Sequence, residues 1–230
     1  MPRRFLPLLL CAQLGAAGAA LADPVVVELF TSQGCASCPP ADAMLGELAG
    51  REDVLALSLH VDYWDWIGWP DGFARPAFTE RQRAYARAAR SNVVYTPQFV
   101  VGGVEQMEGA SPMHLAEVIA AHGAASDDVL RMAMTSRGRE ALAMPVPGGG
   151  RVVLVTYRPE ARVSVEAGEN AGRTMTYHNV VEGWEVLAEW DGEEAAFVLP
   201  DPPAGRRQAV IAQAWTGGRP GRVLGAVLAD

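Results

Sequence analysis

Hydrophobic positions follow two different patterns along the chain, and the pattern changes near residue 125. Before it, short runs of β-branched and aliphatic residues alternate with segments whose apolar positions recur every three or four residues. The runs predict buried strands at 25–30 and 53–61, with a helix over 41–50 between them. Because strands joined by a helix normally lie parallel, this unit predicts a parallel crossover.

The rest of the first half predicts two more helices and a hairpin. Residues 77–90 carry a helical pattern, and residues 93–105 contain two strand-like runs around Gly102-Gly103. Ser111 and Pro112 suit the N-cap and first position of another helix. The predicted order over residues 23–125 is therefore β-α-β-α-β-β-α.

The second half, residues 126–230, predicts short strands separated by glycine-rich turns. Nine runs fit this pattern, at 129–135, 140–146, 152–157, 162–166, 174–181, 185–190, 195–199, 208–215 and 223–228. Such spacing is typical of an antiparallel sandwich or barrel. The predicted fold class is thus an α/β domain followed by a separate all-β, sandwich-like domain.

Residues 1–22 have the pattern of a secretory signal peptide. A basic start containing Arg3 and Arg4 leads into an apolar core that ends in Ala20-Leu21-Ala22, an A-x-A cleavage site. Glycine and alanine dilute the apolar run, which disfavours a membrane anchor. We expect a periplasmic or secreted protein with no stable membrane span after cleavage.

The net charge and the residue composition exclude some partners and some kinds of catalysis. The formal net charge is −8, so nucleic acid is a poor partner. The 19 basic residues are all arginine, which excludes Schiff-base and lysine-base chemistry. Four arginines lie in the second predicted helix: Arg81, Arg83, Arg87 and Arg90. We favour a solvated face for them over an anion site.

Removing residues 1–22, and Cys11 with them, leaves Cys35 and Cys38 at a predicted strand-to-helix turn. A helix N-terminus favours the thiolate, which attacks disulfides or binds soft metals. In an oxidising compartment, we expect the two thiols to be disulfide-bonded or redox-cycling. A bond across two residues closes so short a loop that it stabilises little, which favours redox use over a structural role.

A polar and aromatic cluster, His60-Val61-Asp62-Tyr63-Trp64, follows the second strand, where open α/β sheets bind ligands. His60 or Asp62 would then carry protons or bind a ligand, and the aromatic residues would form a substrate wall. The alternative is an aromatic lid in which His60 and Asp62 are satisfied by hydrogen bonds. The sequence pattern favours neither the ligand-binding interpretation nor the lid.

Two features of the second half carry weaker signals. His178-Asn179 could reach the thiols, although a histidine hydrogen-bonded within a sheet is favoured. Residues 168–172 are predicted to be a turn, since this glycine-containing stretch is too short and wrongly placed to bind phosphate.

The predicted order, with Cys35-Ala36-Ser37-Cys38 after the first strand and Thr96-Pro97 opening the third, resembles the thioredoxin-like superfamily. The resemblance implies a cis proline against the dithiol, with Thr96 and Pro97 contacting a substrate chain. It also implies that Cys35 is the exposed nucleophile and Cys38 the resolving thiol.

A closer resemblance is to a secreted bacterial family labelled domain of unknown function 1223, which supplies no established substrate. The strings that carry it are Val-Glu-Leu-Phe-Thr-Ser-Gln-Gly-Cys at 27–35, His-Val-Asp-Tyr-Trp-Asp at 60–65, Tyr-Thr-Pro-Gln at 95–98 and Tyr-His-Asn-Val-Val at 177–181. Unlike ordinary thioredoxins, the chain lacks a tryptophan before Cys35, has Ala-Ser between the cysteines and carries an insertion at 63–76. These departures favour a restricted partner or a metal.

The leading hypothesis is a periplasmic thiol-disulfide oxidoreductase that acts on protein thiols or disulfides and needs no cofactor beyond its cysteine pair. Its predicted catalytic residues are Cys35 and Cys38, and its predicted substrate-binding residues are Thr96, Pro97, His60, Asp62, Tyr63 and Trp64. One alternative is a copper carrier with Cys35, Cys38 and His60 as ligands. Another is a non-catalytic adaptor in which the dithiol only fastens the turn.

Overall fold

The computed structural model of the chain describes residues 23–109, 111–124 and 129–229. The predicted signal peptide and the predicted domain boundary near residue 126 lie outside these ranges. Three α-helices and eleven strands occur within them. The helices are α1 (Pro39–Leu48), α2 (Pro76–Ala88) and α3 (Pro112–Gly123). The strands are β1 (Val25–Thr31), β2 (Val54–His60), β3 (Gln98–Val101), β4 (Glu105–Glu108), β5 (Leu130–Thr135), β6 (Gly138–Ala143), β7 (Gly150–Ser164), β8 (Thr174–Trp190), β9 (Ala195–Val198), β10 (Arg207–Thr216) and β11 (Arg219–Leu228).

Each of the three helices begins with proline, at Pro39, Pro76 and Pro112. Proline suits this position because its ring fixes a helical φ and the N–H that it lacks would have no partner inside the helix. Within the described residues, no helix combines the length and apolar character needed to cross a bilayer.

One mixed sheet of eight strands contains segments from both halves of the chain, in the order β11-β10-β7-β8-β2-β1-β3-β4. Strands β1 and β2 are parallel, as predicted, and β3 and β4 form the predicted hairpin around Gly102-Gly103. Strand β8 lies parallel to β2 and pairs with it at Ser58 and Val180. The side-chain amide of Asn179 strengthens this junction by donating to the carbonyl oxygen of Ala56 at 2.9 Å.

The predicted fold class, a thioredoxin-like α/β domain followed by a separate all-β sandwich, is therefore wrong. Four second-half strands, β7, β8, β10 and β11, extend the first-half sheet, and only β5, β6 and β9 form a second sheet. An alternating pattern indicates that a segment is a strand, but it does not identify the neighbouring strand.

Strands β7 and β8 are also longer than predicted, since each fuses two of the predicted short strands. Strand β10 pairs with β7 only from Arg151 to Tyr157, and beyond that point β7 pairs with β8 alone. Pro159 thus lies where β7 is an edge strand, and an edge tolerates the missing N–H. Strand β7 therefore continues through the gap between the predicted strands at 152–157 and 162–166.

Alternate residues of β1 belong to two cores on opposite faces of the sheet. Val26 and Phe30 pack in the core that contains Phe78 and Tyr85 of α2. Leu29 and the other odd-numbered apolar residues of β1 pack against α1 and α3 on the opposite face. Because Thr31 and His60 end β1 and β2 in register, the two segments that follow these strands leave the sheet at the same edge.

A buried ion pair joins this sheet to α2. The carboxylate of Glu28 in β1 accepts two hydrogen bonds from the Arg81 guanidinium, at 2.5 and 2.8 Å. The Tyr85 hydroxyl donates to Glu28 at 2.5 Å, and Arg81 also donates to Gln213 of β10 at 3.0 Å. The predicted solvated face is therefore wrong for Arg81, which is only 8% exposed.

Candidate functional site

Cys35 and Cys38 form a disulfide at the N-terminus of α1, with a Cα–Cα distance of 5.4 Å. Cys38 is the N-cap residue, and its carbonyl accepts hydrogen bonds from the backbone N–H groups of Ala41 and Asp42. The Ser37 hydroxyl lies 3.4 Å from the Cys35 sulfur. After reduction, the helix N-terminus and this hydroxyl would both stabilise a thiolate.

The two sulfur-bearing residues are buried, whereas the residues between them are not. Cys35 is 1% exposed and Cys38 is 0% exposed, while Ala36 and Ser37 reach the surface. A thiol from another molecule can thus approach the backbone of the disulfide loop, residues 32–38, but not its sulfur atoms. Attack on the disulfide requires a local movement.

The connection between β7 and β8, residues 165–173, covers the disulfide loop and is called the strap below. Its buried Asn170 donates hydrogen bonds from one side-chain nitrogen to the carbonyls of Gln33 and Cys35, both at 2.9 Å. Arg173 donates to the oxygen of the Asn170 side chain at 2.9 Å. A Glu169 carboxylate oxygen accepts from the backbone N–H of Ala36 at 3.3 Å. The stretch predicted to be a simple turn is therefore part of the site.

The segment after β2 packs against another side of the disulfide loop. A Cβ atom at Gly34 would lie 3.1 Å from Ile67 Cδ1 and 3.3 Å from Trp64 Cβ. This approach leaves little room for a larger residue, which explains the glycine before Cys35. Nearby Trp66 is 82% exposed and offers an aromatic surface beside the site.

Thr96 lies beside the disulfide loop, and the Thr96-Pro97 peptide bond is cis. The carbonyl oxygen of Thr96 accepts a hydrogen bond from the Ser37 hydroxyl at 3.4 Å. Its side-chain hydroxyl accepts one from Trp64 Nε1 at 2.8 Å. The structure thus brings Thr96 and Trp64 to the cysteines, while their predicted substrate-binding role, and that of buried Pro97, stays a prediction.

Asp62 and Tyr63 are hydrogen-bonded to α2. Asp62 accepts from the Thr79 hydroxyl at 2.5 Å, and the Tyr63 hydroxyl donates to Gln82 at 3.2 Å. Burial raises the pKa of Tyr63 to about 12. This arrangement matches the alternative in which the polar groups after β2 are satisfied internally.

His60 is fully buried, and its Nδ1 lies 2.7 Å from a carboxylate oxygen of Asp71. The same oxygen accepts the backbone N–H of Gln33 at 2.8 Å, which connects His60 to the disulfide loop. Burial alone would raise the pKa of Asp71, but the charge and hydrogen bond of His60 and the backbone donors outweigh it, so the pKa is lowered. His60 Nε2 has no hydrogen-bond partner among the described residues.

Asp42 lies in α1 one turn beyond Cys38 and was not identified from the sequence. Thr31 donates to its Oδ1 at 2.8 Å, while Oδ2 has no hydrogen-bond partner within the described ranges. Burial raises the pKa of Asp42 to about 7, and nearby His60 opposes that shift. Two buried carboxyl groups, Asp42 and Asp71, thus have pKa values shifted in opposite directions, which is typical of acid and base pairs. The sequence feature that could have identified Asp42 is its position four residues after Cys38, which places the two residues on the same face of a helix.

Replacing Asp42 with asparagine should change how stability depends on pH. Since the folded-state pKa of about 7 exceeds the ordinary value of 3.8, the wild type loses stability as pH rises from the lower value through the higher one. The asparagine side chain keeps an acceptor for Thr31 and does not ionise, so the advantage of the variant over wild type should grow toward roughly 4 kcal/mol in alkaline buffer. Urea unfolding at about pH 5 and about pH 9 measures this difference. Equal pH dependence in both proteins would contradict the assignment.

No three His, Cys, Asp or Glu side chains in the described parts of the chain are grouped as a metal site requires. His60 is held by Asp71, and Cys35 is bonded to Cys38. The copper alternative stays a prediction. The other histidine considered, His178, packs against α1, where a Cβ atom at Gly46 would lie 2.7 Å from its ring.

Fold and site together define a protein with a mixed eight-stranded sheet and a covered C-x-x-C disulfide at a helix N-terminus. The chain belongs to the family described as Protein of unknown function (DUF1223), whose model matches residues 26–213. The predicted family membership is confirmed.

Two solved structures are similar to the chain. An X-ray crystal structure of a protein from Agrobacterium tumefaciens shares 31% identity, over 90% of this chain and 94% of that one, with a TM-score of 0.77. HBP35 of Porphyromonas gingivalis shares 12% identity, over 91% of this chain and 75% of that one, with a TM-score of 0.61, which indicates a similar fold alone. No curated protein matches the chain. None of these comparisons confirms the thioredoxin-like resemblance.

Proposed function

We propose that the protein is a thiol-disulfide oxidoreductase that acts on a restricted protein partner in the periplasm or outside the cell. The observation that carries the proposal is a disulfide across two residues at the N-terminus of α1. A bond that closes so short a loop contributes little stability, whereas the helix N-terminus stabilises the thiolate that exchange chemistry needs. The signal-peptide pattern of residues 1–22 supports the location.

The reaction exchanges one disulfide for another. In the reduced protein, the Cys35 thiolate attacks a partner disulfide, a mixed disulfide forms, and one partner sulfur leaves as thiolate. The Cys38 sulfur then attacks Cys35 and releases the second partner sulfur. Two electrons pass to the partner; one of its two new thiols takes a proton that originates on Cys38, and the other takes from solvent the proton that Cys35 lost on ionising. The reverse sequence oxidises a partner dithiol.

Asp42 supports the proton transfer in this scheme. The carboxyl group lies one helical turn after Cys38, and its pKa of about 7 lets it hold or release a proton near neutral pH. Its free Oδ2 offers a position for that proton without breaking the hydrogen bond to Thr31. We assign Asp42 the role of exchanging a proton with the Cys38 thiol during resolution.

The covering of the disulfide explains why the partner would be restricted. The strap and the segment after β2 pack on the disulfide loop, so only a molecule that displaces one of them reaches the sulfurs. Exposed Trp66 and the surface residues Ala36 and Ser37 form the accessible rim. A partner that binds this rim could favour the opened state.

The Cys38→Ser variant should trap the first covalent intermediate. Cys35 would still attack a disulfide, but no second thiol would resolve the mixed species. After incubation with oxidised glutathione, intact-mass measurement should show one adduct per chain that reductant removes, whereas wild type should accumulate none.

The Cys35→Ser variant is the matched control, since it removes the same bond and keeps only the Cys38 thiol, to which the scheme assigns resolution and not the first attack. We expect it to form far less adduct than Cys38→Ser. Equal labelling of the two variants, or no adduct on a Cys38→Ser protein that retains the wild-type circular dichroism spectrum, would count against the proposed roles.

A further inference from the structure

A cleft of about 290 Å³ lies between α2 and the face of strands β7, β8 and β10. Its walls are apolar and aromatic, formed by Phe78, Val153, Trp184 and Trp215, and three arginines, Arg81, Arg87 and Arg151, also line it. None of the residues of the disulfide site lines this cleft. It is therefore a separate candidate site.

At the floor of the cleft, the charge of Arg81 is balanced by a buried ion pair. The Arg81 guanidinium lies 3.8 Å from the centre of the Trp184 ring and is paired with buried Glu28. Tyr85 and Gln213 also accept hydrogen bonds from this guanidinium, and Gln213 donates one to Tyr85. The Trp184 ring is thus stacked on a hydrogen-bonded guanidinium and packed against the core, which limits the entropy lost on binding.

The rim of the cleft carries positive charge, although the whole chain has a net charge of −8. Arg151 lies 4.0 Å from the centre of the Trp215 ring, and its ion pair with exposed Glu189 is a weak surface contact. Arg87 is exposed near the end of α2 and makes no ion pair with a described residue. The lining carboxylate Glu80 is paired with Arg83 at 2.6 Å.

We propose that this cleft binds a small ligand with an aromatic or branched apolar body and one carboxylate. The aromatic walls suit the body, and the arginine rim suits the carboxylate. The volume is at the small end of ligand pockets, which selects a small acid or a single terminal residue over a longer chain segment. The proposal is independent of the disulfide chemistry.

The test titrates the full chain with 3-phenylpropionate, with its amide, and with an acetylated peptide that ends in phenylalanine, and follows heat and tryptophan fluorescence. Saturable binding of the acid, with markedly weaker binding of the amide, is the expected result. Tighter binding of the peptide than of the free acid would identify a chain terminus as the source of the carboxylate, and the reverse order would identify a free acid.

Arg87→Gln should weaken binding about threefold to fivefold, the range of a partly exposed ion pair. Arg75→Gln removes the same charge from the other end of α2, outside the cleft, and should leave binding unchanged. No saturable binding by the acid or the peptide, equal binding of acid and amide, or equal effects of the two substitutions would overturn the proposal.

Discussion

Replacing Arg81 with methionine is expected to lower the free energy of unfolding by roughly 3–5 kcal/mol, the usual cost of removing one partner from a buried ion pair. Glu28 is 0% exposed and receives its two guanidinium hydrogen bonds from Arg81. Without them, its charge is buried with only the Tyr85 hydroxyl as donor. Gln213 of β10 loses a donor too, so the contact between α2 and the second half of the chain weakens. Urea unfolding followed by circular dichroism measures the loss.

Two further variants separate the buried charge from general effects of the substitution. Arg83→Met changes an exposed arginine on the same helix and should shift stability by no more than about 0.5 kcal/mol. Glu28→Met combined with Arg81→Met removes both charges and should recover much of the loss. If Arg81→Met is as stable as Arg83→Met, the buried pair does not hold α2 to the sheet.

Replacing Asn170 with alanine is expected to increase the rate at which dithiothreitol reduces the Cys35–Cys38 disulfide by roughly 30-fold to 100-fold. The substitution removes two hydrogen bonds to the disulfide loop and leaves two of its carbonyls without this donor. At about 1.0–1.4 kcal/mol per bond, the free energy of opening the strap falls by roughly 2.0–2.8 kcal/mol. Because both sulfurs are buried, reduction proceeds through the open state, and its rate rises in proportion to that state's population. Intact-mass measurement after acid quenching follows the reaction.

Asn179→Ala is the matched control, because Asn179 donates to a backbone carbonyl in β2 outside the disulfide loop. This variant loses an amide hydrogen bond without freeing the strap, so its reduction rate should stay close to that of wild type. A similar acceleration in both variants would attribute the effect to global loosening. An unchanged rate in Asn170→Ala would show that the strap does not control access.

Much of the disulfide site was predictable from local sequence. An apolar run, two cysteines and a helical pattern lie within one short stretch, so the placement of Cys35 and Cys38 at the N-terminus of α1 depends on neighbouring residues only. The parallel pair β1 and β2 follows from the same reasoning. Thr96 required the resemblance, because nothing local connects it with the cysteines.

The remaining features depend on contacts between distant parts of the chain. Asn170 is separated from Cys35 by 135 positions, and residues 168–172 alone carry only turn chemistry. The position of β8 beside β2 likewise follows from a long-range pairing that alternation does not encode. Glu28 is a partial exception, since a carboxylate that interrupts an apolar strand needs a buried partner. That signal does not identify the partner, and a solvated face was predicted for Arg81.

The most direct test of the proposed redox role is equilibration of the wild-type protein with glutathione buffers of graded reducing strength, followed by thiol labelling and intact-mass measurement. We expect one reversible transition in which both cysteines change together, while circular dichroism shows that the fold is retained. A disulfide that stays closed across the whole series and opens only after the chain unfolds would rule out the proposed redox role.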